Sequence, residues 1–308
     1  MRLLVGGLTG DDPWAPDLES VARAGEPCRL GKGLHESGVI ADELIDRASA
    51  IAQEFARRAR SLGAAHVIAG ATAALRSAAN GQEAAERIAT RAGLPVRILS
   101  GDEEARLVYR AVVLGLGSRS RASQCVIFDL GGGSTEVVSG VGASAGRWNS
   151  LPFGAVSVHE RALSGDPPDD ATIRSASDII TRELMHGCAQ LPERSTLLAG
   201  VGGTVTVLAS LDRGLTDYDP AMLEGWYIER SRAQALIDRI VRLSLAERRN
   251  LPIMGEGRAD IIGAGALIVR ALMERFQAPG LVASTQGLRY GLVRLAAEEW
   301  LSGRRTGS

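Results

Sequence analysis

From Cys125 to Val141 the chain reads CVIFDLGGGSTEVVSGV. An apolar run ends on an acid. Three glycines and two hydroxyls follow, and a second acid opens another apolar run. Runs of this composition bounded by glycine predict a strand, a tight loop and a second strand. The same stretch narrows the chemistry. Glycines let backbone N–H groups turn toward a bound anion. Two carboxylates beside such a loop suit a Mg²⁺–phosphate complex, because Mg²⁺ takes oxygen ligands and keeps several waters. A plain β-hairpin would account for the glycines but does not call for acids and hydroxyls around them. Gly131, Gly132, Gly133, Ser134 and Thr135 are therefore candidate phosphate ligands, and Asp129 and Glu136 candidate metal ligands.

Rival motifs fail on inspection. Glu136 stands where a dinucleotide-binding loop needs its last glycine, and the only lysine, Lys32, is followed by Gly33 rather than Ser or Thr. Both departures exclude the common nucleotide loops. A formal G-x-S-x-G spans Gly142 to Gly146, but Arg147 to Leu151 reads as a strand. A nucleophile elbow needs a helix there, so Ser144 is expected at a hairpin tip. The four histidines show no metal-ligand spacing.

A second glycine cluster, Gly200 to Thr204, follows the apolar run Thr196 to Ala199. Its bare N–H groups suit a second phosphate, although close helix–strand packing would explain the glycines equally well. Ser100 and Glu103 fit a capping box, which gives Glu103 a structural role. Glu104 is not needed by that box. Spacing alone favours a solvated helix face for it, and a water-orienting carboxylate is the alternative. Arg76 follows a strand end, where it is either a surface arginine or a clamp on phosphate oxygens.

Strands and helices alternate along the chain, with strands at Arg2–Leu8, Glu19–Leu30, His66–Ala71 and Val96–Leu99. Helices are expected at Asp42–Leu62, with Leu44, Ala48, Ile51, Phe55 and Leu62 on one face, at Ala78–Ala92 and at Gly101–Leu114. After Cys125–Leu130 the strands Glu136–Val141 and Arg147–Leu151 form a meander. A helix over Ala171–Gln190 follows, then a largely helical remainder with a brief strand at Leu281–Ser284. Each half opens on strands and continues in β/α alternation, as though one unit were duplicated. The fold class is α/β. A chain of 308 residues suggests two domains, 1–120 and 121–308.

Composition excludes several classes of function. Lys plus Arg number 35 against 36 for Asp plus Glu, and aromatics are 4%. No nucleic-acid partner is expected from that balance. The longest uncharged run, Thr196 to Leu211, is too short to span a bilayer, so no membrane partner is expected either. Three widely spaced cysteines and no basic leader before an apolar run favour a reducing, cytoplasmic location without a signal peptide.

Seven stretches together resemble the exopolyphosphatase and guanosine pentaphosphate phosphohydrolase (Ppx/GppA) family. They are RLGKGLHESG (29–38), ATAALRSAAN (71–80), ILSGDEEARLVY (98–109), VIFDLGGGSTEVV (126–138), GVGGTVTVLA (200–209), RADIIGAGA (258–266) and STQGLRYGL (284–292). They run in family order over nearly the whole chain. The resemblance implies two RNase H-like domains of the actin-like superfamily with an interdomain cleft. It implies Mg²⁺-dependent release of terminal phosphate from inorganic polyphosphate, with guanosine pentaphosphate as a further substrate and room for a homodimer. Glu104 takes the place of the catalytic carboxylate, and Asp129 and Glu136 the place of the acids near the metal. Gly131 to Thr135 and Gly202, Gly203 and Thr204 match phosphate loops, and Arg76 matches a phosphate-contacting arginine. The alternatives are a kinase of the same superfamily and a non-catalytic sensor of polyphosphate or guanosine tetraphosphate.

One feature departs from the family pattern. Members carry a loop like D-x-G-T-N-S just before the strand that here begins at Arg2, and this sequence starts with Met1 where that loop should end. The first strand and loop of the first domain are therefore expected to be missing, either through a start assigned at an internal methionine, which the intact remaining motifs favour, or through loss of the loop in a protein that has become a binder. The close of the chain soon after the last matching stretch resembles the short, two-domain members, which favours polyphosphate as substrate.

Overall fold

The computed structural model describes residues 1–9, 17–120, 123–255 and 257–305. In chain order the elements begin with β1 (Arg2–Thr9), β2 (Asp17–Gly25), α1 (Leu34–Ser37), α2 (Asp42–Ser61) and β3 (Ala69–Ala71). Then come α3 (Ala73–Ser77), α4 (Gly81–Ala92), β4 (Val96–Ile98) and α5 (Gly101–Leu116). The next group is β5 (Gln124–Leu130), β6 (Thr135–Val141), β7 (Ser144–Leu151), α6 (Ala155–Ala162), α7 (Asp170–Gly187), β8 (Leu197–Val201) and α8 (Gly203–Arg213). The chain ends with α9 (Pro220–Leu223), β9 (Tyr227–Glu229), α10 (Arg230–Arg242), α11 (Leu245–Arg249), α12 (Ile262–Arg275), β10 (Gly280–Ala283) and α13 (Leu288–Arg305).

These elements form two compact units, Met1–Leu107 with Leu288–Ser308, and Val108–Gly287. The units do not coincide with the expected division at residue 120. The chain passes from one to the other inside α5, and α13 returns to the first unit. There Val293 and Leu292 close over Gly6 and Gly70, leaving 3.3 and 2.9 Å to where a Cβ would stand.

In the first unit β1 and β2 form an antiparallel pair, and β3 and β4 a separate parallel pair. The turn expected at Gly10 to Pro13 lies outside the described residues. Helix α2 buries Ile45, Ala48, Ser49, Ala52, Phe55, Ala56 and Ala59, whereas Leu62 is exposed. The apolar face is thus turned slightly from the expected one, because alanines admit close approach of α4. Arg87 of α4 pairs with Asp42 and Asp46 of α2 across that contact. Helix α4 ends as expected at Gly93, whose φ of 63° lets its N–H reach the Ala89 carbonyl.

The second unit holds one six-stranded sheet in the order β7-β6-β5-β8-β10-β9. The meander β5-β6-β7 is antiparallel, and β8 and β10 run parallel to β5. Numbered in chain order within this unit, the strands are arranged 3-2-1-4-6-5, a mixed α/β sheet with an antiparallel meander at one edge. Ser144 opens β7 directly after the turn at Gly142, as a hairpin residue must, and no nucleophile elbow exists there. Central strand β5 buries Cys125, Val126, Ile127 and Phe128 completely. It reads as a continuous apolar run because side chains on both of its faces are buried. Among the described residues of the first unit, no strand stands between the antiparallel and parallel pairs as β5 does here.

The three cysteines are free thiols. Burial pushes the Cys125 thiol up and the Cys188 thiol up to about 11. Iodoacetamide at pH 8 is expected to modify Cys28 in the native protein and the other two only in denaturant. Peptide mass spectrometry checks this, and rapid native labelling of Cys125 or Cys188 would contradict the packing.

Candidate active site

The loop after β5 is fixed from both sides. Gly131 N–H donates to the Ser134 carbonyl at 3.0 Å, closing the turn. The Gly131 and Gly132 carbonyls accept from Ala155, Val156 and Ser157 N–H groups in the first turn of α6. With those carbonyls held by α6, the N–H groups of Gly132, Gly133 and Ser134 donate to nothing among the described residues, and Gly132 and Gly133 are exposed. None of the three glycines has a positive φ. What they supply is room: a Cβ on Gly132 would come 3.1 Å from Val156, and the space over Gly133 is open.

Asp129 and Glu136 are directly opposite each other in the β5–β6 register. Cross-strand neighbours stand about 5 Å apart at Cβ and share one face of the sheet, where like charges oppose one another. Ser150 Oγ donates to Glu136 at 3.0 Å. A divalent cation would offset the repulsion, and two carboxylates with water are an ordinary Mg²⁺ donor set. No cluster of three or more His, Cys, Asp or Glu side chains suited to a metal occurs among the described residues. A cation held by this pair alone would keep much of its hydration.

The second glycine loop lies beside the first. Asp129 is in register with Val201 across β5 and β8. Gly202 has φ 117°, and a Cβ there would stand 2.5 Å from the Leu130 carbonyl oxygen, so only glycine fits. Gly202 is also the N-cap of α8 and has no side chain to occupy the N–H groups of the first turn. Those groups and the positive end of the helix dipole face outward from the carboxyl ends of parallel strands, where open α/β sheets bind ligands. The Arg258 guanidinium lies against Gly203, 3.5 Å from where its Cβ would be. Arg258 escaped the sequence reading because it lies more than fifty residues beyond the loop it covers, although it heads the matching stretch 258–266.

Two hydroxyls turn inward. Thr135 is fully buried and donates to the Phe153 carbonyl at 2.8 Å, tying β6 to the segment before α6. Thr204 packs its side chain into the space above Gly265. What these threonines leave for a ligand is backbone, not hydroxyl.

In the first unit, Arg76 is on the short helix α3, which the sequence pattern did not disclose. Its Nη1 donates to the Leu99 carbonyl at 2.7 Å and to Glu104 Oε2 at 3.2 Å. The Glu104 side chain keeps 20% of its exposure, so it is not a solvated helix face. Glu103, its neighbour, forms the expected capping box: Ser100 N–H donates to its carboxylate and Glu103 N–H to Ser100 Oγ. Those hydrogen bonds, led by the one from Ser100 N–H and helped by Arg97, hold the Glu103 carboxyl below the usual range.

In the second unit, a mixed sheet with two N–H-lined glycine loops at adjacent strand ends and two opposed carboxylates is chemically suited to a phosphate ligand. Comparison with known proteins agrees: the Ppx/GppA phosphatase family model matches residues 12–298, and the chain belongs to that family of phosphoanhydride hydrolases. Exopolyphosphatase 2 of Mycobacterium tuberculosis is 31% identical over 278 residues, covering 88% of this chain and 86% of the relative. Exopolyphosphatase 1 of the same organism is 31% identical over 269 residues, covering 86% and 77%. The crystal structure of the Aquifex aeolicus family member superposes with a TM-score of 0.86 at 27% identity, covering 98% of this chain and 94% of that one.

Two outcomes follow for the scaffold of the site. Gly202→Ala is expected to cost on the order of 2–4 kcal/mol in urea unfolding, from a disfavoured backbone conformation and a backbone clash. An unchanged midpoint would refute the packing. Because the folded Glu103 carboxyl titrates below its unfolded value, its contribution is present above about pH 4.5 and lost as pH falls through the folded value. Glu103→Gln should therefore flatten the loss of stability between neutral and acid pH.

Proposed function

We propose that this protein is an exopolyphosphatase that hydrolyses the terminal phosphoanhydride of inorganic polyphosphate with Mg²⁺. The observation that carries the reading is the Arg76–Glu104 pair: a partly buried carboxylate held by a guanidinium that is itself anchored on a backbone carbonyl. That is a base with a fixed direction beside a cation able to take phosphate oxygens. Polyphosphate is preferred to guanosine pentaphosphate because the relatives of comparable coverage are named for it.

Phosphoryl transfer depends on positioning and charge neutralisation. The Gly132, Gly133 and Ser134 N–H groups and the first turn of α8 would hold non-bridging oxygens. Asp129 and Glu136 would hold Mg²⁺, which supplies charge neutralisation on the phosphate when bound. Within the first unit, Glu104 would accept a proton from a water attacking a phosphate held on Arg76, the new P–O bond forming as the bridging P–O bond breaks. The shortened chain departs with that electron pair. A phosphate oxygen on Arg76 competes with Glu104 for the same guanidinium, which leaves the carboxylate more basic when substrate is present. The free, largely buried thiols agree with work in a reducing compartment.

The test is phosphate release from long-chain polyphosphate with Mg²⁺ present. Glu104→Gln is expected to lower kcat by about 10²–10⁴-fold, the worth of a general base, and to leave affinity within a few-fold. Full activity in the variant would remove Glu104 from the chemistry. Tight binding without turnover in the wild type would make the protein a sensor. Arg76→Gln should raise KM as well as lower kcat, since it removes both an oxygen ligand and the support for Glu104.

A further inference from the structure

Among the described residues Arg248 and Arg294 are the buried charged side chains, and Arg248 is the one in the second unit. Its side chain keeps 4% of its exposure, yet its charge is poorly compensated. Nη2 stands 3.6 Å from an oxygen of Asp166, which is half exposed, and Nε has no hydrogen-bond partner among the described residues. A buried cation with a distant, hydrated counter-ion and an unused donor adds little stability. What Arg248 does hold is backbone. Its Nη1 donates to the Asp260 carbonyl at 3.3 Å, and no other hydrogen bond to that oxygen occurs among the described residues. The base of the side chain is fixed as well. Helix α11 is a short turn closed by a capping box, with Ser244 N–H donating to Glu247 at 2.8 Å and Glu247 N–H to Ser244 Oγ at 3.3 Å. Leu245 N–H donates to Asp166, so one carboxylate meets both ends of α11.

The turn that Arg248 holds leads into α12 and carries Arg258. The Arg258 carbonyl accepts from Ile262 N–H at 2.9 Å and the Ile261 carbonyl from Gly265 N–H at 3.0 Å, so turn and helix start form one piece. Two glycines let neighbours close on that piece. A Cβ at Gly263 would stand 3.2 Å from Arg248 Nη1, and one at Gly265 would stand 2.2 Å from Thr204 Oγ1 in the first turn of α8. Positions two apart lie about 200° around a helix, so Arg248 and Thr204 press on the start of α12 from nearly opposite sides. Arg258 itself lies against Gly203, at the end of α8 whose N–H groups are bare. Resting on the reading of that helix end as a phosphate ligand in an exopolyphosphatase, we propose that Arg248 is a positioning residue for the second glycine loop. By pinning the Asp260 carbonyl it keeps the Arg258 guanidinium against Gly203, beside the oxygens that the first turn of α8 would hold. Arg248 acts only through the turn and touches no substrate atom.

Two variants separate positioning from mere packing. Arg248→Met fills the space and leaves Asp166 to water, so its urea midpoint should stay at or above that of the wild type. Its KM for long-chain polyphosphate should rise about five- to tenfold with kcat within about twofold, the split expected when binding common to substrate and transition state is lost. Arg248→Lys keeps the cation beside Asp166 and loses the second arm that reaches Asp260, so it should fold as the wild type does and show the same rise in KM. An unchanged KM in the folded variants would overturn the proposal.

A double-mutant cycle with Arg258→Gln decides whether the effect runs through Arg258. It is read by equilibrium binding of long-chain polyphosphate, which needs no turnover. Arg248→Met alone should weaken binding about fivefold and Arg258→Gln alone about tenfold, the range of a charge-assisted hydrogen bond. The double variant should bind within about twofold of Arg258→Gln, because a positioning residue has nothing left to position. Losses that multiply to about fiftyfold would make the two arginines independent and overturn the proposal. Phosphate release with multiplying losses would leave the enzyme reading standing and remove the positioning role. Coupled losses of binding without any release would do the reverse.

Discussion

Strand β5 is hydrogen-bonded to β6 on one side and to β8 on the other, and that double pairing sets the chemistry of the second unit. The antiparallel register with β6 puts Asp129 opposite Glu136. The parallel register with β8 puts Asp129 level with Val201, so both glycine loops leave the sheet at the same end. A slip of one residue in either pairing would send one carboxylate to the opposite face. The register is secured by the apolar run from Cys125 to Phe128, which is buried on both sides. Core packing and site geometry are thus one constraint.

The two glycine loops solve the same problem by different means. The first uses the carbonyls of Gly131 and Gly132 to cap α6, which leaves its N–H groups turned outward. The second places a positive-φ glycine as the cap of α8, which leaves the first turn of that helix bare. Both put uncompensated donors at the ends of parallel strands, where an anion gains most from them. On the proposed reading, a chain with a net charge of −1 would bind a polyanion through such donors. Its positive potential is local, made from backbone dipoles and a few arginines.

Much of this was legible in the sequence because it rests on contiguous residues. Strand, glycine loop and strand around Asp129, the hairpin at Ser144, the capping box at Ser100 and the close of α4 at Gly93 all follow from local patterning. What was not legible depends on long-range contacts. Arg76 and Glu104 are twenty-eight residues apart and meet through α3, a helix of five residues with no periodic signal of its own. The buried face of α2 is turned because its packing partner, α4, admits alanine more readily than leucine. Thr135 and Thr204 look like ligands in a string of hydroxyls and glycines, yet their neighbours Phe153 and Gly265 draw them inward. Spacing reports which residues share a segment, and only packing decides which way each one faces.

The central claim is that the opposed carboxylates of β5 and β6 form a metal site for a phosphate loop. Its most direct test is a Mn²⁺ titration followed by water proton relaxation, with wild type compared against Asp129→Asn and Glu136→Gln. The account predicts one site whose affinity falls at least about tenfold in each variant, the loss expected when one of two charged oxygen ligands of a hydrated cation is neutralised. The fall should occur with secondary structure and unfolding midpoint retained. Unchanged affinity in both variants would contradict it and place the metal elsewhere in the molecule.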